Sequence, residues 1–105
     1  MRALVRESLE SGAKLFIPSG VVAQVFRSAA EQVPLRALMN GPNTTVPALD
    51  RPLAEAAGVL CGRSGTSDVV DASVVLVARR ERAVVITSDV DDLRRLDTQL
   101  AIVHV

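Results

Sequence analysis

At 105 residues the chain is long enough for one small domain with a real core, but its only aromatic residues are Phe16 and Phe26. The core must therefore come from Val, Leu, Ile and Ala, which favours helix-on-sheet packing and argues against recognition of bases by aromatic stacking. Twelve basic and twelve acidic residues balance, Cys61 is the single cysteine and no apolar run reaches the ~18 residues of a membrane span, which excludes a global positive field, an internal disulfide and a spanning helix. The expectation is a soluble cytoplasmic protein with Cys61 as a small buried hydrophobe.

In chain order, 2–11 reads as an amphipathic helix ended by Gly12. A short strand over 14–18 follows, and Ser19 is placed to cap a helix from Gly20 to Ser28 that carries Gln24. A second helical piece spans 31–39 with Pro34 near its start, and Asn40-Gly41-Pro42-Asn43 makes a turn. Residues 44–49 are apolar and β-branched, so a strand is expected there. Asp50 should cap a helix with Pro52 in its first turn, running to Cys61 or Gly62.

The next stretch, GTSDVVDASVVLVARRERAVVITSDVDD (65–92), organises the rest. Thr66 or Ser67 should cap a helix whose middle, VVDASVVLVA, is apolar on nearly every face, as a helix covered on all sides would be. Asp68 and Asp71 lie three apart at its start, where a helix N-terminus favours anionic groups. AVVIT then reads as a parallel strand buried on both faces, with Asp89, Asp91 and Asp92 directly after it. A brief helix over 91–96 and a strand over 101–105 close the chain. Strands alternating with helices imply a parallel α/β sheet. Ligand sites in such sheets lie beyond the carboxyl ends of the strands, so Asp71 and Asp89 should share one crevice, within about 10 Å of each other, and raise one another's carboxyl pKa. Clustered carboxylates there suggest Mg²⁺ or Mn²⁺.

Three stretches in this order, IPSGVVAQVFR (17–27), TSDVVDASVVLVARR (66–80) and VVITSDVDDLRRL (84–96), with LDRPLAEAAGVL between, resemble the PIN-domain ribonucleases of the VapC toxin type. The resemblance covers most of the chain as a single PIN-like domain, 1–105. It implies a small parallel sheet flanked by helices, four acids that bind Mg²⁺ or Mn²⁺ for RNA cleavage, and an antitoxin partner. In that register the third and fourth acids fall on Asp71 and Asp89, with Asp68 and Asp92 accessory. The second falls on Gln24, an amide where the family has a glutamate. The first lies on an N-terminal strand that Met1 follows, so the resemblance implies a sheet lacking that strand and, with unpaired edges, a homodimer or higher oligomer. Arg27, Arg94 and Arg95 are the candidate RNA-phosphate contacts.

Two functions follow from different classes. One is an endoribonuclease in which Asp71, Asp89 and Asp68 hold the metal. The other is a non-catalytic remnant that binds an antitoxin or itself. A receiver-like signalling module is a more distant third, since no acid pair ends an early strand and no lysine follows a late one. Asp71 and Asp89 each also have a plain reading as helix caps, and His104 reads as structural.

Overall fold

The computed structural model describes residues 12–27 and 32–104, so the expected first helix and the end of the last strand lie outside the described residues. The described chain is α/β, with five helices and strands that pair in parallel. It divides into two compact units, 1–48 and 49–105.

In the first unit, β1 (Leu15–Phe16) pairs with β2 (Thr44–Thr45), Leu15 opposite Thr44. The donors alternate as a parallel ladder requires: Leu15 N–H to Asn43 O, Ile17 N–H to Thr45 O and Ser19 N–H to Pro47 O, each 2.9 Å. The strand expected over 44–49 ends at Thr45, and Pro47, which has no N–H to give, accounts for the early stop. Helix α1 (Ser19–Phe26) begins one residue before the expected start. Pro18 takes the cap position and its carbonyl accepts from Val21 N–H at 2.9 Å, so Ser19 is helical and not the cap. Helix α2 (Gln32–Met39) follows, tied back by Gln32 Nε2 donating to Phe26 O at 3.0 Å and by the Arg36 guanidinium over the Phe26 ring at 5.1 Å.

The second unit holds α3 (Arg51–Ser64), α4 (Val69–Glu81), β3 (Val85–Thr87), α5 (Val90–Leu96) and β4 (Ile102–His104). Asp50 caps α3 as expected, accepting from Leu53 N–H at 3.0 Å. The helix passes Gly62 and stops at Gly65, whose φ of 68° is the left-handed conformation that glycine adopts without strain. The cap of α4 is Asp68, not Thr66 or Ser67: its side chain accepts from Asp71 N–H at 3.0 Å, while Thr66 Oγ1 accepts from Asp68 N–H at 3.3 Å. Helix α4 runs on to Glu81. There Arg82 turns left-handed at φ 52°, and Ala83 N–H reaches back to Ala78 O at 2.9 Å to close the last turn.

The core of this unit joins Ala57 and Cys61 of α3, Ala72, Val75 and Ala78 of α4, Val85 of β3, Leu93 and Leu96 of α5, and Leu100. Small residues at 57, 72 and 78 let α3 and α4 approach closely, and Cys61, buried as expected, adds a thiol contact of 3.4 Å to Asp68 O. The middle of α4 is covered as its sequence implies, although Val69 at its start is exposed. Burial of AVVIT on both faces does not hold. Among the described residues the sheet containing β3 has only β4 as a second strand, and Val84 and Val103 are 56% and 40% exposed.

Candidate functional site

β3 and β4 run parallel with Val85 opposite Ile102, Ile86 opposite Val103 and Thr87 opposite His104. Their carboxyl ends therefore open on the same side. Chain direction then brings the first turn of α5 to that end, because Ser88 and Asp89 leave β3 directly into it. The result is an open concavity of about 560 Å³ lined by Ser88, Asp89, Val90, Asp91, Asp92 and His104.

Asp89 stands at the cap position of α5, yet its side chain makes no capping hydrogen bond. Its N–H donates to Thr87 Oγ1 at 2.9 Å, which fixes the backbone and leaves the carboxylate turned to the concavity it lines. Asp68 behaves differently, since its carboxylate is committed to the α4 cap.

Asp71, in the first turn of α4, is partly buried and receives the field of its neighbours. Burial, the largest cause, raises its carboxyl from 3.8 to about 6, and the charge of Asp68, a hydrogen bond with Asp68 and the charges of Asp92 and Asp89 act in the same direction. The expected raising of one carboxyl by its neighbours is thus found, with burial leading. Asp68, Asp71, Asp89 and Asp92 all belong to one electrostatic neighbourhood, although Asp71 does not line the open concavity.

The remaining candidates divide between the two units. Gln24 and Arg27 are exposed residues of the first unit, Gln24 within α1 and Arg27 at its C-cap. Arg94 donates through one nitrogen to Thr98 O at 3.0 Å and Leu100 O at 2.6 Å, holding the turn into β4. Arg95 is exposed. Arg79 pairs with Asp97 at 2.8 Å on that turn, and this bond, with Gln99 N–H, holds the Asp97 carboxyl below its usual range.

Sequence reasoning read His104 as structural and Asp91 as part of a solvated first turn; both line the concavity. The signal for His104 lay in the parallel register: once AVVIT and AIVHV are aligned as neighbours, the residue beside Thr87 must sit at the same sheet end as Asp89. Among the described residues, no three His, Cys, Asp or Glu side chains are placed to hold a metal ion by themselves. An ion here would rest on fewer protein carboxylates, completed by water and substrate phosphate, an arrangement usual for Mg²⁺. No helix among the described residues is long and apolar enough to cross a membrane. No family model, curated protein or solved structure matches the chain.

Proposed function

We propose that the chain is a PIN-like, metal-dependent endoribonuclease of the toxin type, with Asp71 and Asp89 as its principal acids. One observation carries the reading: a partly buried Asp71 whose carboxyl is pushed up to about 6 by burial and by the charges of Asp68, Asp92 and Asp89. A carboxyl perturbed by burial together with named charge partners is a functional-site candidate, and Asp89, one of those partners, lies at the carboxyl end of the parallel strand β3. The oxygen-only donor set suits Mg²⁺ or Mn²⁺. Asp71 and Asp89 would hold the ion, and Asp68 would contribute charge from its cap position. A bound Mg²⁺ supplies an attacking water of lowered pKa and neutralises charge on the scissile phosphate. The carboxylates orient and retain that ion, and the partial burial of Asp71 strengthens its electrostatic hold by limiting access of water.

The test is cleavage of single-stranded RNA by the whole chain in millimolar Mg²⁺ or Mn²⁺. Asp71→Asn and Asp89→Asn should each lower the rate at least ~100-fold, a loss of about 2.7 kcal/mol in barrier terms, while Glu55→Gln on the exposed face of α3 should leave it unchanged. Cleavage that survives both aspartate changes, or is lost equally in Glu55→Gln, would remove the assignment.

A second reading is favoured by the absence, among the described residues, of three ligating side chains in reach of one ion, and by the amide at Gln24. In it the chain is a PIN-like module that binds an antitoxin or a second copy without cutting RNA. Mg²⁺-independent association together with no cleavage at any metal concentration would select it.

A further inference from the structure

The concavity at the carboxyl ends of β3 and β4 is lined by three carboxylates, Asp89, Asp91 and Asp92, none of which forms a side-chain hydrogen bond or ion pair among the described residues. Ionised carboxylates only accept hydrogen bonds. On their own they would repel the phosphodiester that a ribonuclease must receive there, so any phosphate entering needs a donor on the same wall. Two side chains can provide one, the Ser88 hydroxyl and the His104 imidazole.

His104 has the stronger case. It comes from a different strand than the acids and is brought to them by the pairing of Thr87 with His104. Its ring is exposed and makes no hydrogen bond or ion pair among the described residues, so the fold makes no use of its donors. An imidazole keeps at least one N–H whether charged or neutral, so the donor is present without reference to pH.

We propose that His104 is a substrate-binding residue that donates a hydrogen bond to a phosphodiester oxygen in this concavity, an inference that rests on the ribonuclease reading. The ring would set the register of the backbone beside Asp89, offsetting the repulsion of the acidic wall. The substrate class is an RNA phosphodiester, probed by its smallest unit, a dinucleoside monophosphate.

His104 is the only histidine in the chain, so its ring proton signals serve as a reporter without further assignment. The full chain should be titrated by NMR with the dinucleoside monophosphate UpU, with uridine as the phosphate-free control and with Mg²⁺ alone. Saturable shifts of the ring signals with UpU but not with uridine are expected. His104→Ala should weaken UpU binding at least 5-fold, and His104→Gln, which keeps an N–H donor, should recover most of that loss. If the Asp89 amide shifts with UpU while the imidazole stays still, the concavity binds substrate without His104 and this proposal alone falls. A ring that responds to Mg²⁺ alone and not to UpU would make His104 a ligand of the ion, which also overturns it. If no signal in the concavity responds to UpU and the wild type does not cleave RNA, the ribonuclease reading falls as well.

Discussion

Asp71 keeps its proton to about 6 because burial and three neighbouring carboxylates oppose its ionisation together. The consequence for stability has a definite sign. An unfolded aspartate titrates near 3.8, so between pH 3.8 and about 6 the folded state binds more protons than the unfolded one, and stability falls as pH rises through this window. Below it both states are protonated and the cost vanishes; above it both are ionised and the cost is fully present. Asp71→Asn removes the charge, so it should melt higher than wild type at pH 7 and show no such gain at pH 3.5. Asp68→Asn keeps the cap but removes one repelling charge, so it should lower the top of the window without closing it, because burial is the larger cause. Thermal melts of the three proteins across pH 3.5 to 7.5 decide this. A wild-type profile whose difference from Asp71→Asn is flat would mean that the carboxyl is solvated and is no more than part of a helix first turn.

The elements follow from local chemistry wherever that chemistry is self-contained. Asp50 before Arg51-Pro52 was legible as a cap because an acceptor side chain followed by proline in the first turn has few other uses. The alternation of strands and helices was legible because periodicity is local too. What failed depended on choices among near-equals or on distant partners. Thr66, Ser67 and Asp68 are all good caps, and only the observed bond from Asp71 N–H separates them. AVVIT reads as doubly buried, but what covers a strand is decided by the rest of the chain, and Val84 is left exposed. The nearness of His104 to Asp89 was not legible, because it is created by strand register. The end of α4 gives a prediction at this scale. Arg82 holds φ 52°, a conformation costing a residue with a Cβ roughly 1 kcal/mol relative to glycine, and among the described residues its side chain takes part in no bond that fixes the turn. Arg82→Gly should therefore stabilise the fold by up to ~1 kcal/mol, less the greater entropy of glycine in the unfolded chain. Urea denaturation measures it; a loss above about 1 kcal/mol would show that the arginine side chain is needed there.

For the molecule as a whole, the two-strand ladders and the α4-centred core establish the α/β class, and the PIN-like reading adds a claim that the apo protein is incomplete in energy. Uncompensated negative charge among Asp68, Asp71, Asp89 and Asp92 weakens the second unit at neutral pH, and a cation bound only in the native state would relieve that repulsion while adding its binding free energy. With a dissociation constant of about 1 mM, 10 mM Mg²⁺ would contribute about 1.4 kcal/mol, and the midpoint of a domain this size should rise by several degrees. Simple screening must be separated from binding, because any salt weakens repulsion among exposed charges. The comparison is therefore made at constant ionic strength, MgCl₂ against NaCl, on the wild type, Asp71→Asn and Asp89→Asn. A specific site raises the wild-type midpoint with Mg²⁺ beyond NaCl and leaves both variants unmoved. An equal rise in all three proteins would reduce the four aspartates to a solvated acidic face, and the ribonuclease reading would lose the site on which it stands.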